Sequence, residues 1–368
     1  MENWYEVENV DQIDSPALLV YPERIKYNIR LLKALVGNNT DRLRPHVKTN
    51  KMIEVCQLMI AEGITQFKCS TIAEAEMLAM ANAKEVLLAY QPVGPKLQRW
   101  VQLLKAYPLI QFSCLVDHVD SIKSLGDIGQ DENLNLSVYV DLNVGMGRTG
   151  ADSHELPKLL EQLQIQKYLT LQGIHGYDGH IHASDLTVRR EQSDASYALL
   201  KKGFDFLQAN VALPLQMVIG GSPSFTAHAT RSDVICSPGT FVFWDWGYSD
   251  LLPEQEFVYA AVLLTRVISV IDEQHICIDL GYKAVASESP LPRVTFLNVE
   301  EAKSLFQSEE HLVLEVPDSS QYPIGTVLYA VPRHICPTVA LYDRVSVIEE
   351  QVSVDTWNVI ARNRMLNF

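Results

Sequence analysis

The sequence lacks the features of a membrane-spanning, secreted or disordered chain. No run reaches the roughly 18 uninterrupted apolar residues that a membrane helix needs. The first residues, MENWYEVENVDQIDSP, are acidic and have no hydrophobic core, so we expect no secretory signal and a cytoplasmic location. Repeats, low-complexity tracts and long Pro/Gly linkers are also missing. With 47% hydrophobic and 20% charged residues, the composition predicts a folded globular protein.

Basic residues and paired cysteines are both scarce. There are 30 Lys and Arg residues against 45 Asp and Glu, and the net charge of −15 argues against a nucleic-acid partner, which needs a basic surface. This charge does not exclude a small cationic site. The cysteines have no paired spacing, so we expect reduced thiols or metal ligands rather than disulfides. They are Cys56, Cys69, Cys114, Cys236, Cys277 and Cys336.

The first two-thirds of the 368 residues alternate short apolar runs with amphipathic stretches. About eight such strand–helix units fit between Ser15 and Asp250, starting with the strand-like run SPALLVY. We predict an α/β fold with a (β/α)8 TIM barrel over residues 15–252. An open doubly wound sheet has the same local signature, and periodicity alone does not separate the two.

From about Glu256 onward, β-branched runs follow one another without long helices between them, for example FVYAAVLLTRVISVI and HLVLEV. This pattern predicts a C-terminal antiparallel β domain over residues 253–368, with residues 1–14 as a candidate extra strand. The boundary near Leu252-Pro253 has no linker composition, so we expect it to be tight.

A single lysine is the first candidate for chemistry. Lys48 stands in RPHVKTN, at the end of a predicted barrel strand, where barrel enzymes place their active sites. A lysine held there can form a Schiff base with a carbonyl cofactor. Its position alone favours an ordinary surface lysine, because a fold does not assign a function.

Two glycine-rich segments also follow predicted strands. In Gly220-Gly221-Ser222, backbone amides and the hydroxyl can hold a phosphate, although the same glycines can serve a tight turn. In GMGRTG, Arg148 presents a fixed cation to a ring nitrogen or a carboxylate, or pairs with Asp141.

Histidines are concentrated in two places. His175, His180 and His182 end a predicted strand in GIHGYDGHIH, and we favour a cofactor pocket there over a metal site or plain backbone hydrogen bonds. His334 and Cys336 lie in HICPT within the β domain. On an extended strand, residues i and i+2 share a face, so this imidazole and thiolate can bind one metal ion. A buried cysteine beside a histidine is the more common explanation of such a pair.

Taken together, these segments resemble the D-threonine aldolase/D-serine dehydratase family of pyridoxal-phosphate enzymes, a branch of the alanine racemase-like fold. The resemblance covers nearly the whole chain, and its most specific motifs are RPHVKT and the distant HxCPT. The other matching segments occur in the family's order; they are SPALLVY, CSTIAEAEML, DLNVGMGRTG, GIHGYDGHIH, VIGGSPSF, SPGTFVFWD and IDLGYKAVASES.

The resemblance implies a role for each residue of the cofactor site. Lys48 would carry pyridoxal 5′-phosphate as a Schiff base. Arg148 would face the pyridine nitrogen, where a second cation disfavours protonation of the ring. Tyr177 and Thr71 would help to seat the cofactor. The phosphate would lie on Gly220, Gly221 and Ser222.

The resemblance also implies a divalent metal on His334 and Cys336. Aldolase members of the family have an aspartate at the second ligand position, whereas dehydratase members have a cysteine, as here. A thiolate prefers zinc to magnesium or manganese. We therefore expect a lyase acting on D-3-hydroxy amino acids, most similar to a D-serine or D-threo-3-hydroxyaspartate dehydratase that releases a 2-oxo acid and ammonia.

Other activities stay open on the sequence alone. A D-threonine aldolase would cleave Cα–Cβ to give glycine and an aldehyde. An amino-acid racemase would need a second base on the opposite face of the substrate. A non-catalytic pyridoxal-phosphate-binding protein would share the barrel but lack the β domain. The fold also implies a head-to-tail homodimer, in which each barrel mouth meets the β domain of the partner.

Overall fold

The structure is a computed structural model that describes residues 3–299 and 301–368 and divides them into two compact units. Unit 1 contains residues 3–31, 49–55, 240–299 and 301–362. Unit 2 contains residues 32–48, 56–239 and 363–368. The chain therefore contributes to each unit through several separate segments.

The strands and helices are numbered in chain order. The strands are β1 (Ala17–Val20), β2 (Gln66–Cys69), β3 (Glu85–Leu88), β4 (Gln111–Val116), β5 (Leu136–Leu142), β6 (Leu169–Gly176), β7 (Gln216–Ile219), β8 (Ile235–Cys236), β9 (Ala261–Val270), β10 (His275–Ile278), β11 (Val294–Phe296), β12 (Lys303–Gln307), β13 (Leu312–Glu315), β14 (Val327–Pro332), β15 (Arg344–Glu349) and β16 (Val352–Asn358). The helices are α1 (Pro22–Leu35), α2 (Ile53–Ala61), α3 (Ile72–Met80), α4 (Pro95–Ala106), α5 (Val119–Asp131), α6 (Leu156–Ile165), α7 (Leu186–Asn210), α8 (Phe225–Ala229), α9 (Trp246–Leu251) and α10 (Ile335–Val339).

Unit 2 is the predicted parallel barrel. Strands β2 to β8 pair in sequence order, each parallel to the next. The extended segment 43–47 occupies the eighth strand position, because Leu43 bridges Cys236 of β8 and His46 bridges Lys68 of β2. Both bridges are parallel, so the sheet closes on itself. The barrel predicted from the alternation of apolar runs and helices is confirmed, and the sheet is closed rather than open and doubly wound.

Unit 1 is built on a nine-stranded sheet. Its main path runs β12-β13-β10-β9-β1-β15-β16, with β14 and β11 extending from β9. The pairs are antiparallel except for β1 with β15. Apolar side chains from the N-terminal segment and from four of these strands form one buried cluster of Tyr5, Val7, Ile13, Leu19, Tyr21, Val262, Leu264, Tyr329 and Ile348. The predicted β domain is therefore present.

Two sequence-based boundaries differ from the structure. The run SPALLVY forms β1, but β1 pairs with β9 and β15 in unit 1, so a barrel beginning at Ser15 is wrong. A strand buried on both faces has the same apolar pattern in either kind of sheet. The expected strand within residues 1–14 does not form over residues 3–14, which contain a 3-10 helix at Val10–Gln12; residues 1–2 lie outside the described residues.

The C-terminal segment of unit 1 also begins earlier in the chain than Pro253, the predicted start of the β domain. Residues 240–252 belong to it, because the Ala260 amide donates to the Phe243 carbonyl and the Gly247 amide donates to Arg333, at 2.7 and 3.0 Å. Over residues 3–299 and 301–368, none of the six cysteines forms a disulfide. None of the helices in the described ranges is long and apolar enough to cross a membrane.

A buried arginine ties together the strands of the barrel in unit 2. Arg44 is 1% exposed and donates to acceptors on four different strands. Its partners are Glu85 Oε2 on β3 at 2.7 Å, Gln66 Oε1 on β2 at 2.8 Å, Tyr139 OH on β5 at 3.1 Å and Gln216 Oε1 on β7 at 3.2 Å. Since a guanidinium stays charged, its burial is tolerated only while these acceptors surround it.

We expect Arg44→Met to lower the free energy of unfolding by about 3–5 kcal/mol, because Glu85 then loses its buried cation and three neutral acceptors lose their donor. Urea unfolding followed by far-UV circular dichroism measures this loss. The control is Lys201→Met, which breaks the exposed Lys201–Asp205 pair and should cost less than about 1 kcal/mol. Equal losses in the two variants would contradict the role given to Arg44.

Candidate functional site

A pocket lies in unit 2, lined by side chains at or near the carboxyl ends of the barrel strands. Lys48 follows the segment 43–47, Arg148 lies in the loop after β5, and Tyr177 comes directly after β6. These positions are the carboxyl ends of the strands, where barrels place their functional residues. The lining residues are His46, Lys48, Lys68, Ala89, Asp141, Arg148, Thr149, His175 and Tyr177.

Three residues that the sequence singled out meet at the ring of Tyr177. The Lys48 Nζ lies 5.6 Å from the ring centroid, and the Arg148 guanidinium carbon lies 5.0 Å from it. Both distances are within the range in which a cation is attracted to an aromatic face. Asp141, the alternative partner of Arg148, instead bonds His175. The pocket therefore places a lysine amine and a guanidinium around one aromatic ring.

Lys68 is a site residue that the sequence interpretation missed. It stands in the middle of the strand β2, is 2% exposed, and its Nζ lies 5.7 Å from the centroid of the Tyr177 ring. The signal was present, because a lysine inside the strand-like segment TQFKCST is unusual for a buried parallel strand. The pocket thus contains two lysines.

Lys68 begins a short relay of hydrogen bonds. Its Nζ lies 3.3 Å from His175 Nε2, and His175 Nδ1 lies 2.6 Å from Asp141 Oδ1. Burial and the neighbouring Lys68 lower the pKa of His175 although Asp141 acts to raise it, so the imidazole is neutral at pH 7. A neutral imidazole that donates from Nδ1 to Asp141 accepts at Nε2 from Lys68.

Burial also changes the protonation of Lys68 itself. Desolvation, followed by the positive charge of Lys48, lowers the pKa of Lys68 to about 7 from the usual lysine value of 10.5. Asp141 and Asp178 act in the opposite direction, and Arg44 adds to the lowering. At neutral pH a substantial fraction of Lys68 is therefore a free amine, which accepts as well as donates protons.

The glycine turn 220–222 follows β7, also at the carboxyl end of a barrel strand. Gly220 has φ +94°, a conformation that favours glycine. A Cβ on Gly221 would lie 3.2 Å from the Tyr177 ring, so the turn approaches the aromatic wall of the pocket closely. The Gly221 amide donates to Ser224 Oγ at 3.3 Å, which means that it supports the turn internally. Ser222 is 6% exposed.

Three other candidates are placed differently from expectation. Thr71 is the N-cap of α3, where its hydroxyl accepts from the Glu74 amide at 3.0 Å, and it does not line the pocket. His175 lines the pocket, whereas His180 and His182 are exposed and do not. The three histidines therefore do not converge, because the chain leaves β6 after Gly176.

His334 and Cys336 lie in unit 1, but not on a strand. They stand at the start of the helix α10, whose N-cap is His334, so the prediction of an extended HICPT is wrong. Pro337 falls in the first turn of this helix, where a missing amide hydrogen costs nothing. The two side chains still meet, since they share a hydrogen bond.

The surroundings of this pair fix both side chains. His334 Nδ1 lies 2.5 Å from Glu288 Oε1, and Cys336 Sγ lies 3.1 Å from the hydroxyl of Thr49, the residue that follows Lys48 in the sequence. The Thr240 hydroxyl lies 3.5 Å from the same sulfur. Although burial acts to lower it, hydrogen bonds to Cys336 and Glu288 raise the pKa of His334 to about 9.

Asp245 holds the backbone of this segment. Its carboxylate is 2% exposed and accepts from the amides of Ile335 and Tyr248 at 3.1 and 2.9 Å. Burial raises the pKa of Asp245 to about 6, against those two hydrogen bonds. Over residues 3–299 and 301–368, no group of three or more His, Cys, Asp or Glu side chains is arranged to hold a metal ion. An imidazole and a thiol in contact are a two-ligand arrangement.

Known proteins match this chain over nearly its whole length. It is 26% identical over 367 residues to the 3-hydroxy-D-aspartate aldolase of Paracoccus denitrificans, a match that covers 96% of this chain and 93% of that protein. It is 23% identical over 370 residues to the D-threo-3-hydroxyaspartate dehydratase of Delftia sp., covering 94% and 97%. These relatives confirm the resemblance found in the sequence.

Solved structures confirm the fold. The crystal structure of D-threonine aldolase from Filomicrobium marinum superposes with a TM-score of 0.87 at 23% identity, covering 95% of each chain. A D-threo-3-hydroxyaspartate dehydratase, solved as a cysteine-to-alanine mutant in the metal-free form, superposes with a TM-score of 0.83 at 22% identity, covering 94% of this chain and 97% of that chain.

Two family descriptions divide the chain between them. Residues 260–348 match the putative serine dehydratase domain. Residues 20–245, more than half of the chain, match the alanine racemase N-terminal domain. This protein therefore belongs to the alanine racemase N-terminal domain family.

Proposed function

We propose that this protein is a pyridoxal-phosphate- and metal-dependent lyase that dehydrates D-3-hydroxy amino acids to 2-oxo acids and ammonia. The observation that carries the proposal is the placement of Lys48 beside Arg148 and the Tyr177 ring at the carboxyl end of the barrel strands. A lysine amine, a guanidinium and an aromatic wall suit an anionic aromatic aldehyde. The aldolase and dehydratase named among the relatives support this reaction class.

The residues of the pocket fit pyridoxal phosphate. Lys48 Nζ would hold its aldehyde carbon, and Arg148 would face its ring nitrogen. The glycine turn 220–222 would hold its phosphate, because the space against Tyr177 is one that a Cβ on Gly221 would fill. When bound, the cofactor supplies an electron sink for the carbanion formed at Cα.

The pair His334 and Cys336 fits a catalytic metal ion. Two protein ligands leave positions open for water and substrate, and a thiolate with an imidazole favours zinc. Glu288 bonds His334 Nδ1, as carboxylates commonly do to orient a ligating histidine. The metal-free form reported for a dehydratase cysteine mutant supports a role for such a thiol.

The chain's own groups supply the proton movements of the reaction. Lys48 Nζ would act as the base that removes the proton from Cα of the substrate. Lys68, with a pKa of about 7, exchanges protons near Lys48 without leaving the pocket. His175 and Asp141 hold Lys68 in place. These residues place two lysine amines on one side of the pocket, which suits an amino-acid carboxylate and a phosphate.

A retro-aldol activity is the second candidate. The 3-hydroxy-D-aspartate aldolase relative supports it, because both reactions begin from a D-3-hydroxy amino acid. The thiol at Cys336 favours dehydration, since a thiolate selects zinc over the magnesium or manganese preferred by oxygen ligands. The expected cytoplasmic location and homodimer stay predictions.

Lys48 should form the covalent bond to the cofactor. We expect purified protein incubated with pyridoxal phosphate to gain a visible absorption band, and borohydride reduction followed by peptide mass spectrometry to find the label on Lys48. Lys48→Ala should lose all of this label, whereas Lys33→Ala, which removes a lysine paired with Glu62, should keep it. A label located on Lys68, or no label, would contradict the assignment.

The reaction itself is tested with D-serine, D-threonine and D-threo-3-hydroxyaspartate. We expect ammonia and a 2-oxo acid, with activity lost on chelation and restored by zinc. His334→Ala should lower kcat/KM by more than about 100-fold, because it removes a metal ligand. The exposed His154→Ala is the control and should change nothing. Glycine and an aldehyde would favour the aldolase instead, and activity that survives both chelation and His334→Ala would refute the metal.

The buried Lys68 should cost the cofactor-free protein stability. Below about pH 7 it is charged in both states, and the cost of its burial is fully present. Between about pH 7 and 10.5 the unfolded chain binds a proton that the folded chain has released, so stability rises with pH. Lys68→Met removes this free-energy cost of burying a charged lysine. Each unit of lowered pKa corresponds to about 1.4 kcal/mol, so the variant should gain a few kcal/mol at pH 7.

Urea unfolding of the cofactor-free protein from pH 7 to pH 10 measures this effect. The advantage of Lys68→Met should shrink steadily toward pH 10, and Lys201→Met, at an exposed lysine, should follow the wild-type curve. Parallel curves for wild type and Lys68→Met would show that Lys68 keeps an ordinary pKa.

A further inference from the structure

A buried line of hydrogen bonds lies behind the glycine turn 220–222, outside the pocket lining. Asp178, Ser224 and His228 are 1%, 2% and 0% exposed. Asp178 lies two residues after β6, Ser224 is the N-cap of the helix α8, and His228 lies within α8. Asp178 Oδ2 lies 2.7 Å from His228 Nε2, and Asp178 Oδ1 lies 2.8 Å from Ser224 Oγ. Neither contact has a part in the proposed chemistry.

The chemistry of the groups in this line fixes which atom donates and which accepts in each hydrogen bond. Arg231 contacts His228 Nδ1, and a guanidinium is only a donor, so Nδ1 accepts. His228 Nε2 therefore carries the proton and donates to Asp178. The Ser224 hydroxyl donates to the other oxygen of Asp178 and accepts from the Gly221 amide at 3.3 Å. Both carboxylate oxygens are thus used, one for each neighbour.

The glycine turn is shaped to this line of side chains. A Cβ on Gly220 would lie 2.9 Å from His228 Cδ2, so only glycine lets the imidazole lie against the turn. Gly220 also has φ +94°. At its outer end the line reaches the surface, because Arg231 pairs with Asp194, whose side chain is 68% exposed. The turn is therefore braced from behind by a chain of polar groups that runs from the surface to the Gly221 amide.

We propose that Asp178, Ser224 and His228 are positioning residues that set the phosphate selectivity of the site, by holding the backbone of the glycine turn in its binding conformation. The inference rests on the proposed function, since it takes this turn as the seat of the cofactor phosphate. A phosphate is bound well by donors that are already aligned, because no ordering cost remains on binding. The bracing residues supply that alignment without touching the ligand.

Comparison of pyridoxal phosphate with pyridoxal, which lacks the phosphate, tests the proposal on the full-length cofactor-free protein. The dissociation constant of pyridoxal divided by that of pyridoxal phosphate reports what the phosphate contributes to binding. Asp178→Asn puts an NH2 group where a donor already points, and His228→Gln breaks the line at its centre. We expect both variants to lower the ratio by about 10-fold or more, with pyridoxal binding unchanged.

Matched serine variants separate positioning from a general loss of packing. Ser224→Ala removes the hydroxyl that joins Asp178 to Gly221, whereas Ser193→Ala removes a buried hydroxyl that bonds the Arg189 carbonyl within α7. Thermal unfolding confirms that each variant is folded, and Ser224→Ala, the mildest change, keeps the test available if the others are not. The ratio should fall for Ser224→Ala and stay constant for Ser193→Ala.

The outcomes distinguish this inference from the proposed function. Folded variants that bind pyridoxal phosphate with the wild-type ratio, or that lose both ligands equally, overturn the positioning role alone. A wild-type protein that binds neither pyridoxal phosphate nor pyridoxal overturns the proposed function and this inference with it. A ratio lowered only in the bracing variants supports both.

Discussion

The burial of the Arg44 guanidinium is the constraint on which the barrel and its site depend. Its acceptors lie on β2, β3, β5 and β7, so a shift of any one of these strands by one residue would take one of the four acceptors away from a buried charge. Residues i, i+2 and i+4 of an extended segment share a face. Arg44 thereby fixes the direction of His46, which lines the pocket two residues before Lys48.

The interior of unit 2 is accordingly built in polar layers. Two residues beyond the Arg44 partners Gln66 and Tyr139 stand Lys68 and Asp141, which face the same side of their strands and line the pocket. The first layer surrounds a permanent charge with four acceptors and is structural. The second layer is satisfied only through the relay from Lys68 to Asp141, and its lysine has a lowered pKa. The hydrogen bonds of the first layer help to offset the free-energy cost of burying Lys68 in the second layer.

Motifs with fixed local chemistry could be predicted from the sequence, whereas features set by partners distant in the chain could not. Lys48, Arg148 and Tyr177 follow strands, and strand ends can be read from apolar runs. The pairing of β1 with β9 and β15 leaves no local mark, because its residues are buried in either sheet. The five-residue helix α10 is shorter than two turns, too short for a helical period to appear. Thr71, which the resemblance places at the cofactor, caps α3 in the structure, and its part in seating the cofactor stays a prediction.

The net charge of −15 and a cationic pocket are compatible because the carboxylates in the pocket and behind the glycine turn are already hydrogen-bonded. Asp141 bonds His175, and Asp178 bonds both His228 and Ser224. These anions weaken the positive field at Lys68, whose pKa they act to raise, but they do not cancel it, since burial and Lys48 still prevail. Two Asp–His pairs thus keep acidic groups inside the barrel while leaving the amines to an anionic ligand. The acidic surface sets solubility, and the ligand is selected by charges that the surface does not reveal.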